Sequence, residues 1–369
     1  MIVRRLTARA FRSYQRLETE IGERVTVVVG DNGAGKTNLL EALYFGCVGR
    51  SCRTRVDNQI VTFGEDVSRV EVEGSQDDHE HTLAVAIDKR AGKTFFADGA
   101  KAASLDDVPW RPPVAVFMPD RLDLVKGAPG VRRGHLDQFV AALWPGRRAT
   151  RRSYAEALAQ RNALLSRGRS DSALDAWDAE LARHGVALIA DRVAAVDAIK
   201  ERFGANAADL GLVDDPQIRY RFAEEAANQE TFAAALAERR PTDLQRGFTT
   251  FGPHRDEVVL SLSGRETRTY ASQGQQRLSL LSLILAECEA ISDITRRRPL
   301  VLLDDVMSEL DATRRAMLVE RVDRLGQCLI TATELAHIPV GAGVDEVIEV
   351  FGGEARRAGA PAGGDAPSV

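Results

Sequence analysis

Cysteine is scarce in this chain and carries no motif. The four cysteines, Cys47, Cys52, Cys288 and Cys328, form no C-x-x-C pair, which argues against zinc ribbons and dithiol redox sites and predicts buried thiols. Long apolar runs are missing as well: none approaches the roughly 18 residues needed to cross a bilayer, so a membrane-embedded subunit is not expected. The first residues enter an alternating strand carrying Arg4, Arg5 and Arg9, without the apolar core and small-residue cleavage site of a signal peptide. A cytoplasmic location is therefore expected. A surplus of positive charge is also lacking. With 49 Lys and Arg against 54 Asp and Glu, the net charge is −5 and the sequence pI about 5.8, unlike a protein that simply coats a polyanion. Any nucleic-acid surface has to be local. Arg50, Arg53 and Arg55 form one candidate patch, Arg132 and Arg133 another, Arg147, Arg148, Arg151 and Arg152 a third, and Arg296, Arg297 and Arg298 a fourth. Each could equally be a solvated helix or loop face.

What the chain does have is a phosphate loop in its proper setting. The apolar run of residues 25–29 reads as a buried strand, Asn38, Leu39, Leu40, Glu41, Ala42 and Leu43 as a helix, and between them lie Gly30, Asp31, Asn32, Gly33, Ala34, Gly35, Lys36 and Thr37. This strand, glycine-rich loop and helix is a Walker A arrangement for nucleotide phosphates. The glycines let successive backbone N–H groups turn toward phosphate, the helix N-terminus adds its positive dipole end, and Lys36 supplies a point charge to the outer phosphates. Thr37 offers a hydroxyl to Mg²⁺.

A second anion-binding helix start lies far downstream. Ser272, Gln273, Gly274, Gln275 and Gln276 open an apolar helical run beginning at Leu278. Then Leu300, Val301, Leu302 and Leu303 form an apolar strand delivering Asp304 and Asp305 at its C-terminal end, where open α/β sheets bind ligands.

The separation of these motifs predicts an interrupted α/β domain of mixed sheet and helix. Residues 1–120 and 245–352 are read as the two parts of a nucleotide-binding head. Strands are expected near residues 67–73, 81–88 and 94–97, with Asp98 and Gly99 as a turn. Residues 121–244 are read as a helical arm, because Leu174, Trp177, Leu181, Leu188, Val193 and Val196 recur at helical spacing. The arm closes near Pro216, after which residues 217–222 read as strand. Residues 353–369, rich in Gly, Ala and Pro, are expected to be disordered.

Phosphate loop, Ser-x-Gly-Gln signature, paired carboxylates and the following Ser308, Glu309, Leu310 and Asp311 together resemble the ATPase heads of the ABC superfamily. The resemblance implies a head-to-head dimer with two ATP molecules between subunits, in which Ser272, Gly274 and Gln275 of one subunit cap the γ-phosphate held by its twin. Gln273 and Gln276 are further candidates. It places Asp311 at the dimer seam, Asp304 with Thr37 on Mg²⁺, and Asp305 as the group that orients or deprotonates the attacking water, with Lys36 on the phosphates. Position 305 departs from the superfamily pattern, which has Glu there. The shorter arm, and threonines where such heads often carry a histidine after this strand, predict slow hydrolysis. Arg12 resembles an arginine that contacts nucleotide phosphates. His254 is read as bracing the return from arm to head, and a glutamine loop is not located.

Finer resemblance points to the RecF family of bacterial recombination proteins. It is carried by Phe11, Arg12, Ser13 and Tyr14, by Gly49, Arg50 and Ser51, by Phe117, Met118, Pro119 and Asp120, by Gly252, Pro253, His254, Arg255 and Asp256, and by the Ser-Gln-Gly-Gln-Gln signature. It implies a nucleoid-associated, weakly DNA-dependent ATPase of DNA repair, replication, recombination and the SOS response. Such a protein binds duplex DNA at gap junctions and acts with RecR and RecO to help RecA displace single-strand-binding protein. Two other readings stay open: a transporter ATPase, against which the arm insertion argues, and a nucleotide-stabilised DNA-bound scaffold in which hydrolysis is incidental.

Overall fold

The computed structural model describes residues 1–168, 172–339 and 343–358. By internal contacts the chain divides into two units, one of Met1–Pro119 with Arg297–Val369 and one of Asp120–Arg296.

The first unit begins with strands β1 (Ile2–Phe11), β2 (Tyr14–Glu20) and β3 (Val25–Val29), followed by helix α1 (Lys36–Val48). Strands β4 (Val67–Gln76), β5 (His79–Asp88), β6 (Gly92–Ala97), β7 (Ala100–Ala102) and β8 (Val114–Phe117) come next. The antiparallel order β2-β1-β4-β5-β6-β7 is a two-faced sheet. From Arg5 on, β1 alternates with period 2, Leu6 and Ala8 pointing inward while Arg5 and Arg9 face solvent; a register shift between Val3 and Arg5 interrupts the pattern, so that Arg4 and Arg5 are both exposed beside the buried Val3. Asp98 and Gly99, at φ 49° and 77°, make the tight turn from β6 to β7.

The second unit carries α2 (Asp123–Lys126), α3 (Pro129–Leu143), α4 (Arg148–Leu165), the 38-residue α5 (Ser172–Asp209), β9 (Pro216–Arg221) and α6 (Gln229–Arg246). It ends with β10 (Glu257–Leu262), β11 (Arg265–Glu266), α7 (Thr267–Tyr270) and α8 (Gln273–Thr295). Strands β11-β10-β9 form a small antiparallel sheet. Leu174, Leu181, Leu188 and Val196 are buried along α5, as their helical spacing predicts. A guanidinium lies at the centre of the helical packing. Arg161 is fully buried and donates to Asp178 at 2.6 Å, Asp243 at 2.7 Å and the Thr249 hydroxyl at 2.8 Å, which offsets the cost of its desolvation.

The chain then completes the first unit with β12 (Leu300–Leu303), α9 (Ala312–Leu325), β13 (Gln327–Ala332), β14 (Val344–Phe351) and β15 (Glu354–Arg357). The second sheet runs β15-β14-β3-β13-β12-β8, parallel throughout except for β15. Helix α1 is buried on nearly all sides. Its Leu39, Leu40, Leu43 and Phe45 belong to one core with Val70, Val72 and Val85 of the antiparallel sheet and Val28, Leu302 and Leu329 of the parallel one. A helix enclosed in this way is apolar around most of its circumference, which is why residues 39–48 read as an apolar stretch with Glu41 as the one charge among them.

Two boundaries differ from the sequence reading. The second division falls at Arg296/Arg297, where the sequence put it at 244/245, because α8 packs on α3 and α5 of the helical unit. Ordered structure also continues past residue 352: β15 pairs antiparallel with β14, aligning Val350 with Ala355, so residues 353–358 are not part of a disordered tail. Residues 359–369 of the expected tail lie outside the described residues. No helix among the described residues is long and apolar enough to cross a membrane.

Candidate nucleotide site

The phosphate loop joins the C-terminal end of β3 to α1, and two of its glycines are required by their surroundings. At Gly35 (φ 121°) a Cβ would meet the Tyr14 hydroxyl at 2.8 Å, and at Gly30 it would meet the Val350 carbonyl oxygen at 2.2 Å. Tyr14 in turn donates to the Gly35 carbonyl at 3.1 Å, tying β2 to the helix start. Burial raises the Tyr14 phenol well above its ordinary pKa, keeping it a neutral donor. Asp31, Asn32 and Gly33 form the exposed crest of the loop. Lys36 is buried, and its ammonium donates to the Gly30 and Asp31 carbonyls at 2.6 and 3.0 Å. It is held inside the loop by neutral acceptors, and no carboxylate among the described residues pairs with it.

The two motifs predicted to share a cation meet. The Thr37 hydroxyl lies 2.9 and 3.1 Å from the two carboxylate oxygens of Asp304, at the C-terminal edge of the parallel sheet. One hydroxyl and one carboxylate are the hard oxygen donors Mg²⁺ prefers, with water and phosphate completing its shell. Burial raises the Asp304 pKa; donors from Thr331 and Thr37 and the nearby Arg53 guanidinium oppose that shift. Thr331 was not singled out from sequence. Its hydroxyl donates to Asp304 Oδ1 at 2.7 Å and accepts the Asp305 amide at 2.9 Å, so one side chain fixes both carboxylate residues. Asp305 itself sits in the left-handed region (φ 45°), which short polar side chains tolerate better than others.

Arg12 and Asn38 lie on the flank of α1. Arg12, also left-handed at φ 54°, grips the fully buried Glu41 through Nε and Nη2 at 2.9 and 2.7 Å, and its Nη1 donates to the Gln59 carbonyl at 2.8 Å. Asn38 donates to Ser13 Oγ at 2.9 Å and accepts from Arg53 at 3.0 Å. Ser51 also donates to Glu41.

The signature residues belong to the helical unit. Ser272 caps α8: its hydroxyl accepts from the Gln275 amide at 3.3 Å, while the Gln275 side chain accepts from the Ser272 amide at 2.9 Å. This reciprocal capping box fixes the helix start. Gln276 is buried and donates to the Ala271 and Thr267 carbonyls at 3.2 and 3.4 Å. Gln273 and Gly274 are exposed. A Cβ at Gly274 would meet nothing within 4 Å, so nothing in the fold of the unit itself calls for glycine there. Asp311 is the N-cap of α9, accepting from the Arg314 amide at 2.9 Å, and is exposed.

His254 braces the helical unit: Tyr154 donates to its Nδ1 at 2.7 Å, and its Nε2 faces the Thr249 carbonyl at 3.0 Å. Burial holds its pKa down at about 4, so the ring is neutral near pH 7. Among the arginine clusters, Arg132 is buried against Glu257 at 2.9 Å and Arg133 donates to the Asp256 carbonyl at 2.7 Å, so this pair is structural. Arg147 and Arg151 pair with Asp191 and Asp137, while Arg55, Arg152 and Arg298 are exposed.

Residues 2–356 match the family described as the RecF/RecN/SMC N-terminal domain. Over 358 residues the chain is 38% identical to the DNA replication and repair protein RecF of Myxococcus xanthus, covering 93% of this chain and 94% of that protein. The RecF of Anaeromyxobacter sp. is 36% identical over 351 residues, covering 92% and 94%. Among solved structures, the recombination mediator protein RecF with ATP, described as part of the RecFOR pathway, superposes with a TM-score of 0.84 at 26% identity, covering 96% of this chain and 97% of the other. An Smc head bound to the C-terminal winged-helix domain of ScpA shares the fold with a TM-score of 0.57 at 15% identity, covering 97% of each chain.

Proposed function

The chain belongs to the RecF family of the SMC-like ABC ATPases, and from that premise we propose that it is an ATP-gated DNA-binding protein of recombinational repair that works as a head-to-head pair. The observation that carries the nucleotide part is the meeting of Thr37 and Asp304 at the sheet edge beside Lys36. Backbone N–H groups from Gly30 to Asn38 receive the phosphates, and Lys36 exchanges its carbonyl contacts for the outer phosphate oxygens. Mg²⁺, held by Thr37 and Asp304, would supply charge neutralisation on those oxygens. Asp305, with its amide fixed by Thr331, orients the attacking water or takes its proton.

Gly274 supports closure in pairs. A glycine with open space above it, at a helix N-terminus capped by its own Ser272 and Gln275, suits close approach by another molecule's phosphate. In this reading, the twin's Mg·ATP docks on Ser272 and Gly274, Asp311 lies along the seam, and closure creates one surface for duplex DNA. Hydrolysis removes the link and the grip relaxes. By its family, the protein acts at single-strand gaps, recognises the duplex junction, and works with RecR and RecO to place RecA on strands coated by single-strand-binding protein. Asp305, one methylene shorter than Glu, favours slow turnover, and with it a second reading in which ATP mainly stabilises a DNA-bound scaffold.

Sedimentation with and without Mg·ATP, repeated with gapped duplex, tests this. The expected result is a dimer only with Mg·ATP and DNA bound by that dimer, with an affinity that falls steeply as salt rises. A chain that stays monomeric with ATP while binding DNA equally well contradicts it.

A further inference from the structure

A cavity of about 340 Å³ opens on the second unit, walled by Asp214 ahead of β9, Ser263 and Arg265 at the turn from β10 to β11, Thr267 and Tyr270 of α7, and Gln275 of α8. It is far larger than a single water needs and suits a small organic molecule. Its wall is chemically unfinished. Arg265 is exposed and has no acidic partner among the described residues; its guanidinium carbon lies 6.0 Å from the centre of the Tyr270 ring, at the outer limit of a cation–π contact. Tyr270 itself is 68% exposed, so its ring face is open to a further layer. Thr267 is the reverse case: it is 1% exposed, and its hydroxyl is buried without a hydrogen-bond partner among the described residues. Buried hydroxyls are bonded in most folded proteins, so one left open on a cavity wall points to a partner supplied from outside. Asp214 and Gln275 complete the polar set. The Gln275 amide nitrogen donates to the Asp214 carboxylate at 3.3 Å, which leaves the carboxylate further acceptor capacity and the amide a second hydrogen.

We infer that this cavity receives the base and sugar of a nucleotide, stacked on Tyr270, with Arg265, Asp214 and Thr267 meeting its polar edge and hydroxyls. An aromatic face beside donors and acceptors of both kinds matches a nucleoside, whereas the Asp214 carboxylate would repel a phosphate placed in the same space. Gln275 links the cavity to the signature, because the side chain that closes the Ser272 capping box also forms part of the cavity wall. The twin's ATP, whose phosphates the proposed pair brings to Ser272, is therefore the nearest source of the nucleoside, and an unpaired DNA nucleotide is the other. Only the choice of source rests on the pairing proposed above.

The test is photolabelling of the full chain, below saturation, with Mg·2-azido-ATP and separately with an oligonucleotide carrying 4-thiothymidine, the labelled peptides being mapped by mass spectrometry. Parent, Tyr270→Ala, Arg265→Ala and Thr267→Val are compared. The parent is expected to take label within residues 262–275; Tyr270→Ala should lower that label about tenfold, the worth of one stacked base, and the other two about fivefold. All three should melt no lower than the parent, because Tyr270 and Arg265 are exposed and Thr267→Val removes only an unbonded hydroxyl. ATP label that rises with the dimer fraction assigns the nucleoside to the twin, and label from the oligonucleotide alone assigns it to DNA. The inference is overturned if neither probe labels residues 262–275 while the ATP probe labels the phosphate-loop segment, or if the label at 262–275 survives all three substitutions. An ATP probe that labels nothing overturns the nucleotide reading, and the cavity inference with it unless the oligonucleotide labels residues 262–275.

Discussion

Thr331→Val removes one hydroxyl at nearly constant volume from the point where the Asp304 carboxylate and the Asp305 backbone amide are both anchored. In the folded protein that hydroxyl donates to Asp304 at 2.7 Å and accepts from the Asp305 amide at 2.9 Å, with Thr331 and Asp304 both buried. Loss of a hydrogen bond to a charged acceptor is worth about 1.5–3 kcal/mol, and the orphaned amide adds about 1–3 kcal/mol. Some of this is recovered as the site relaxes, so a net loss of roughly 3 kcal/mol is expected in denaturant unfolding, with Thr331→Ser recovering most of it. ATP turnover should fall at least tenfold in Thr331→Val, because Asp304 and the Asp305 backbone lose their common anchor. If the variant unfolds within about 0.5 kcal/mol of the parent and turns over ATP normally, the assignment of Thr331 as the brace of the carboxylate pair is wrong.

Three further outcomes are expected. Ser272→Arg should abolish ATP-dependent dimers while the monomer still binds nucleotide, with about 1 kcal/mol of stability lost with the helix cap; dimers that persist by sedimentation refute the role of Ser272 at the seam. Asp305→Glu should raise ATP turnover severalfold while costing roughly 1 kcal/mol for a longer side chain at φ 45°; an unchanged or lower rate in a steady-state assay means that the short carboxylate does not limit hydrolysis. For His254, burial lowers the folded-state pKa to about 4, below the unfolded value of about 6.5, so its neutral form stabilises the fold fully above about pH 6.5. That contribution, up to roughly 3 kcal/mol, is lost as pH falls toward 4, and His254→Gln should flatten this part of the curve of unfolding midpoint against pH.

The parts legible in the sequence are those whose signal is local. The phosphate loop, the strand ending in Asp304 and Asp305, and the Ser272 helix start each occupy a few consecutive residues whose backbone roles their side chains announce. What was hidden depends on chain segments meeting across long separations. Glu41 shows in sequence only as a charge inside an apolar helix, and its partners arrive from Arg12, Ser51 and Arg53 on other segments. Thr331 is in sequence only one of two threonines, with Thr333, in the stretch where a histidine is often found; only the alignment of neighbouring strands β12 and β13 brings its hydroxyl to Asp304. The division at Arg296 was hidden because α8 is apolar on most sides, which says that it is buried but not in which unit. Gln275, by contrast, could have been read as a capping partner from Ser272-x-x-Gln275 alone.

The central claim is that hydrolysis needs two copies. ATP turnover per chain, measured across a dilution series beside sedimentation under the same Mg·ATP conditions, tests it most directly. The account predicts turnover per chain that rises in proportion to the dimer fraction and vanishes with it. Full turnover per chain at dilutions where only single copies sediment would contradict it.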